Sequence, residues 1–181
     1  MKYTYLAASL PTLSMDTMPP LTEDRFLLQC EGVMSENDYA EMQHILHQRR
    51  DRCLSSFSRQ WCGFESALRH YIAEVRAGRL GLDPRTAVPY HDVSEALVKK
   101  TVLDAFAKSN PREREWTLDS ARWYVLTELA REDPFGLNTI LAYALKLRMA
   151  HRWAAMNAEK GAINLKRHVD TILDSQPVEA T

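Results

Sequence analysis

Apolar residues recur three and four positions apart along most of this chain, the spacing that lines one face of an α-helix. The sharpest case is Trp61, Phe64, Leu68, Tyr71, Ile72 and Val75, a stripe from which Glu65, Arg69, Glu74 and Arg76 are excluded. Tyr39, Met42, Ile45 and Leu46 repeat the pattern upstream, and Leu118, Ala121, Val125, Leu126 and Leu129 repeat it downstream. From Leu137 to Ala158 two stripes run side by side: Leu137, Ile140, Leu141, Ala144 and Leu147 form one, and Leu145, Met149, Trp153 and Met156 the other. A helix that is apolar on two sides packs on two sides, so this one is predicted near the centre of a bundle. A last run from Ile163 to Leu173 turns Leu165, Val169, Ile172 and Leu173 inward.

The punctuation between these runs is that of helix ends. Thr22, Ser35 and Asp92 stand where an N-cap oxygen is needed, with Glu23, Asp24, Glu36 and Asp38 complementing the positive ends of the first two helices. Asn110-Pro111 places proline at a first helical position. Gly32, then Gly78 or Gly81, and later the Asp133-Pro134-Phe135-Gly136 break and Gly161 serve as stops. Residues 1–21 are predicted as an extended N-terminal segment that docks through Tyr3, Tyr5 and Leu6 as a strand or a single helical turn. Residues 79–91, with Pro84 and Pro89, are predicted as the longest loop. The reading is all-α: a single domain over residues 1–181, about seven helices in antiparallel hairpins, no sheet and no internal repeat.

Composition agrees with an ordered chain, since 45% hydrophobic residues and only 6 glycines in 181 positions leave enough apolar surface for one core. A net charge of −1 gives no global attraction to nucleic acid, and no apolar run reaches the roughly 20 residues of a membrane helix. The charge is unevenly placed. Seven acidic residues precede position 49 against Lys2 and Arg25 alone, while Lys146, Arg148, Arg152, Lys160, Lys166 and Arg167 crowd the last quarter. Neighbouring of the two regions is the simpler account, and a basic partner-binding surface the sharper one. Cys30, Cys53 and Cys62 are odd in number and set in helical contexts, which favours a reducing cytoplasm over a disulfide framework. The start of the chain has a short, tyrosine-rich apolar run with only Lys2 before it, and it reads as mature protein rather than a signal peptide.

Catalytic signatures are missing. Neither a phosphate-cradling glycine loop nor a Gly-x-Ser-x-Gly elbow occurs, so the chain is expected not to be an enzyme and to need no cofactor. The best metal-like group is Glu41, His44 and His47, which helical spacing could bring to one face for a divalent ion; this underlies an alternative reading as a metal- or ligand-binding helical enzyme. A regulatory module that takes a peptide in a groove is a third. Glu113 with Glu115 and Glu132 with Asp133 are explained by helix ends. Arg148 and Arg152, one turn apart with His151 near them, could hold a phosphate or carboxylate, or an acidic helix of the same chain. Trp116, Trp123, Tyr143 and Trp153 read as core or interface aromatics, marking a binding face if exposed together.

The run Tyr3-Thr4-Tyr5-Leu6-Ala7-Ala8-Ser9-Leu10-Pro11-Thr12-Leu13, then Pro19-Pro20 and a short helix ending near Cys30, resembles an uncharacterised bacterial family encoded beside V-type ATPases and similar to their rotor-capping C-type component. Tyr143-Ala144-Leu145-Lys146-Leu147, Arg152-Trp153 and Glu159-Lys160-Gly161 are similar to that family's closing helices. The resemblance implies a helical protein that couples the central stalk to the membrane rotor ring, or assembles them, without doing chemistry. Its partners would be other V-type ATPase subunits, with neither nucleic acid nor direct membrane insertion. It would be cytoplasmic and peripheral to the membrane, with Arg148, Arg152, Lys166 and Arg167 as partner contacts. The true C-type component is longer and built of repeated helical modules, a departure from what this sequence displays.

Overall fold

The computed structural model describes residues 2–47, 54–82, 95–156, 166, 167 and 171. Among these the elements are all helical: α1 (Thr4–Ser9), α2 (Glu23–Glu31), α3 (Glu36–Leu46), α4 (Ser56–Arg79), α5 (Glu95–Phe106), α6 (Pro111–Arg131) and α7 (Leu137–Ala155). They number seven, as the apolar periodicity predicts, and α2 to α7 are six of the helices it marked. The first 21 residues are not extended throughout, because Thr4–Ser9 coils into α1 with Leu6 buried. The closing helix contributes only Lys166, Arg167 and Thr171, and the rest of it lies outside the described residues.

The helix starts follow from side-chain oxygens meeting the backbone N–H groups that a first turn leaves without partners. Thr22 Oγ1 accepts from Arg25 N, Ser35 Oγ from Asp38 N, and Asn110 Oδ1 from Arg112 N, with Pro111 opening α6. Asp92, the predicted cap of α5, lies outside the described residues. At the end of α4, Gly81 N donates to the Gly78 carbonyl at 3.2 Å and Leu82 N to the Ala77 carbonyl at 3.0 Å. These bonds reverse the chain through Gly81, whose φ of +70° is the left-handed conformation that favours glycine. The helix therefore runs through residue 79, where the long loop was predicted to begin; positions 83–91 of that loop lie outside the described residues.

Buried side chains from α1 to α7 form one core. Helix α7 lies against α2, α3 and α6, and α5 packs on α4 and α6. The double stripe accounts for the place of α7: Ile140, Leu141, Ala144 and Leu147 are buried on one side and Leu145, Met149 and Trp153 on the other. Met156, predicted to close the second stripe, is exposed beyond the helix end. In α2, Phe26 is fully buried and packs 5.2 Å from the Tyr143 ring of α7. Cys30 is buried beside it, and burial alone pushes its thiol up to about 12, so it stays protonated and inert.

The N-terminus is held by polar contacts as well as by Tyr3 and Leu6. Tyr3 Oη donates to Asp38 Oδ2 at 2.5 Å and accepts from Ser35 N at 3.1 Å, while Tyr3 N donates to the Phe135 carbonyl at 3.2 Å. Lys2 pairs with the same carboxylate at 2.6 Å. Partial burial pushes the Asp38 carboxyl up, but hydrogen bonds from Lys2, Tyr3 and Ser35 outweigh it and hold the group below its usual value.

Lys146 sits on the α6–α7 seam, where Nζ donates to Thr127 Oγ1 at 2.8 Å and lies 5.2 Å from the Trp123 ring centre. Burial, with a smaller contribution from the Arg131 charge, lowers it to about 8. The folded state thus binds fewer protons than the unfolded state between about pH 8 and the ordinary lysine value of 10.5, so stability rises with pH across that window. Lys146→Met is expected to flatten this rise. Urea midpoints at pH 7 and pH 10 measure it, with an expected rise of about 1 kcal/mol in the parent after allowance for screening of a partly exposed group.

Candidate functional site

A cavity of about 330 Å³ opens between α3, α4, α6 and α7. Ile45, Leu46, Trp61, Leu145 and Met149 give it apolar walls. Its charged lining is Arg69, Arg122, Arg148 and Arg152 against Glu65, Glu115 and Asp119. Behind it lies an ion network that ties three helices together. Asp119, fully buried on α6, accepts from Arg122 Nη1 at 2.9 Å through Oδ1. Its Oδ2 accepts from Trp153 Nε1 at 2.7 Å and from Arg152 Nη2. Arg122 Nε reaches across to Glu65 Oε1 of α4 at 2.5 Å, and Arg69 Nε lies 3.6 Å from the other oxygen of that carboxylate.

The arrangement is self-neutralising. Burial would lower the Arg122 guanidinium, but the Glu65 and Asp119 charges and hydrogen bonds prevail and raise it, so it stays protonated. Each carboxylate oxygen of Asp119 has a donor, as a buried acid requires. The apolar stripe predicted Glu65 and Arg69 on the outer face of α4. Glu65 is instead buried, because the helix packs on α6 as well as on its own apolar stripe and Arg122 neutralises the acid there. Arg69 does stay exposed.

The basic residues singled out from sequence divide. Arg148 pairs with Glu23 of α2 at 2.5 Å and also donates through Nη1 to the Leu46 carbonyl at the end of α3. Arg152 is held by Asp119. Both therefore meet acids of the same chain, and the Arg148–Glu23 pair joins the acidic first quarter to the basic last one. His151 Nε2 lies 2.9 Å from the Leu21 carbonyl. Lys166 and Arg167 are exposed and are not brought to the cavity lining.

Glu41, His44 and His47 part company. The Glu41 carboxylate turns to the start of α4, accepting from Ser55 N at 2.8 Å and Ser58 Oγ at 2.5 Å, where it complements the positive helix end. His44 is half-buried, and His47 is the exposed C-cap of α3. Among the described residues no three His, Cys, Asp or Glu side chains are gathered as a metal ion requires. The aromatics are not exposed together either: Trp153 is buried, its ring 4.8 Å from Trp116 in an edge-on contact, and Trp123 and Tyr143 are half-buried. Asp119 and Arg122 do not stand out in the sequence. Their i, i+3 spacing beside the Leu118 stripe is the available signal, together with Arg152-Trp153 as a pair of donors.

Fold and site define an all-helical protein whose buried acids Glu65 and Asp119 are neutralised by arginines beside a small mixed cavity. No helix among the described residues is long and apolar enough to cross a membrane. A family model described as "Protein of unknown function (DUF2764)" matches residues 45–176, and the chain belongs to that family. No curated protein and no solved structure matches it.

Proposed function

We propose that this chain is a non-catalytic helical adaptor of a bacterial V-type ATPase, joining the central stalk to the membrane rotor ring or assisting their assembly. The observation that carries the reading is the way buried and half-buried charged side chains fasten one helix to another. Glu41, Glu65, Asp119, Arg122 and Arg148 are each engaged by a group of the same chain that fixes a helix end or a helix–helix contact. A protein that transmits force or holds subunits together needs such rigid seams and complementary surfaces. The likeness of the Tyr3–Leu13 and Tyr143–Leu147 runs to a family encoded beside these ATPases supplies the partner. Arg148, Arg152, Lys166 and Arg167 remain the basic contacts proposed for an acidic partner surface at the cytoplasmic side of the membrane, with Lys166 and Arg167 exposed.

The test is purification of the tagged chain from its own cells after gentle detergent extraction. Central-stalk and rotor proteins are expected in the eluate, and paired Lys166→Glu and Arg167→Glu changes are expected to deplete them. Recovery of the chain alone, with the ATPase intact elsewhere in the same extract, overturns the proposal.

A further inference from the structure

A second cavity, of about 480 Å³, lies where the α5–α6 turn, the first two turns of α6 and the end of α7 meet, and its lining changes character along α6. At the start of the helix stand Lys108 and Arg112, both exposed, with Glu113 beside them. One turn further on are Trp116, 38% exposed, and Thr117, with the buried Trp153 behind. The frame of the cavity is fixed. Arg114 donates to the Lys108 carbonyl at 3.1 Å and lies 4.8 Å from the Phe106 ring centre, and Asn110 caps α6. The Trp116 ring is held edge-on to Trp153, whose indole N–H is committed to Asp119. Unlike Arg148 and Arg152, Lys108 and Arg112 pair with no acid among the described residues, and Glu113 pairs with no cation there. The lining thus keeps one positive charge in excess. Arg114 and Glu115 on the same turn cancel, as do Arg122 and Arg152 against Glu65 and Asp119 behind Trp153. The excess therefore stands, and the positive end of the 21-residue α6 adds to it.

From this order we infer that the cavity binds a nucleoside monophosphate. The phosphate sits at the start of α6, where Lys108, Arg112 and the helix end supply charge and donors without the glycine loop that the sequence lacks. The base stacks against the indole of Trp116, a contact that every base can make. Glu113 lies between the two and accepts from the ribose hydroxyls, a role that suits an unpaired carboxylate beside two cations. Arg112 and Trp116 are four residues apart, a rise of about 6 Å along a helix, which a ribose spans between its phosphate and its base. Inorganic phosphate meets the Glu113 charge and leaves Trp116 unused, and a nucleoside leaves Lys108 and Arg112 unanswered. The inference concerns a ligand and stands apart from any association with an ATPase.

Calorimetric titration of the purified full-length chain with adenosine 5′-monophosphate, adenosine and inorganic phosphate tests it. The nucleotide is expected to bind with a Kd below about 1 mM, at least tenfold more tightly than adenosine or phosphate. Arg112→Gln and Trp116→Leu are each expected to weaken the nucleotide about tenfold, the first through the phosphate and the second through the base. Arg25→Gln, which removes an exposed cation of α2 outside the lining, is expected to leave the Kd within about twofold of the parent's. Arg112 is exposed and its side chain bonds to nothing among the described residues, so Arg112→Gln is expected to keep the parent's urea midpoint, and its loss of affinity then reports the site and not the fold. Adenosine or phosphate binding as tightly as the nucleotide, equal weakening by Arg25→Gln and Arg112→Gln, unchanged affinity in Arg112→Gln or Trp116→Leu, or no heat up to about 10 mM nucleotide overturns the inference.

Discussion

Replacing Asp119 by alanine should destabilise the protein by about 3–5 kcal/mol, the largest electrostatic effect expected of a single change in this chain. The carboxylate is fully buried, and its loss strands three donors at once: the Arg122 guanidinium, the Trp153 indole N–H and one N–H of Arg152. Arg152 can turn to water because its side chain is 46% exposed, but Arg122, at 16%, cannot. Arg122 keeps Glu65, so most of the cost is the burial of donors left without an acceptor, Arg122 Nη1 and the Trp153 indole N–H, rather than the lost attraction. Removing the exposed end of the network by Arg152→Gln should cost only about 1 kcal/mol. Urea unfolding followed by circular dichroism separates the two. Near-equal losses would mean that Asp119 acts through shape and not through charge.

Phe26→Ala should cost about as much, about 3–5 kcal/mol, for a different reason. The ring is fully buried against Tyr143, and α2 is short, so little else can move in to fill the space. The family match begins at residue 45, so Phe26, Tyr3, Leu6 and Met42 all lie outside it, yet they belong to the same core as α7. The variant is accordingly expected to unfold in one cooperative transition at lower urea. Two separated transitions, with α4 to α7 persisting after α2 has gone, would show that the N-terminal quarter is a detachable layer.

Much of this architecture could be read from the chain because its signals are local. Thr22, Ser35 and Asn110 cap through backbone groups only two or three residues away, and the double stripe of α7 records the neighbours of that helix in its own periodicity. What could not be read is nonlocal. Glu65 and Asp119 follow the rule that acids face water until Arg122, Arg152 and Trp153 come together from α6 and α7 to neutralise them. Glu41 misled in the opposite direction. Its spacing from His44 and His47 suits a ligand set, but a hydroxyl and a backbone N–H at the start of α4 claim its oxygens first.

Arg148 meets Glu23 across 125 positions of sequence and closes the exposed carbonyl end of α3 with the same guanidinium. During synthesis 125 further residues must therefore follow Glu23 before the first two full-length helices receive this fastening. Until α7 leaves the ribosome, Phe26, Met42 and Leu46 lack their largest apolar neighbour, and the nascent N-terminal quarter carries exposed core surface. Closing so long a loop falls late on the folding path, so this segment is where a holding chaperone would bind and where premature termination would leave a fragment prone to aggregate.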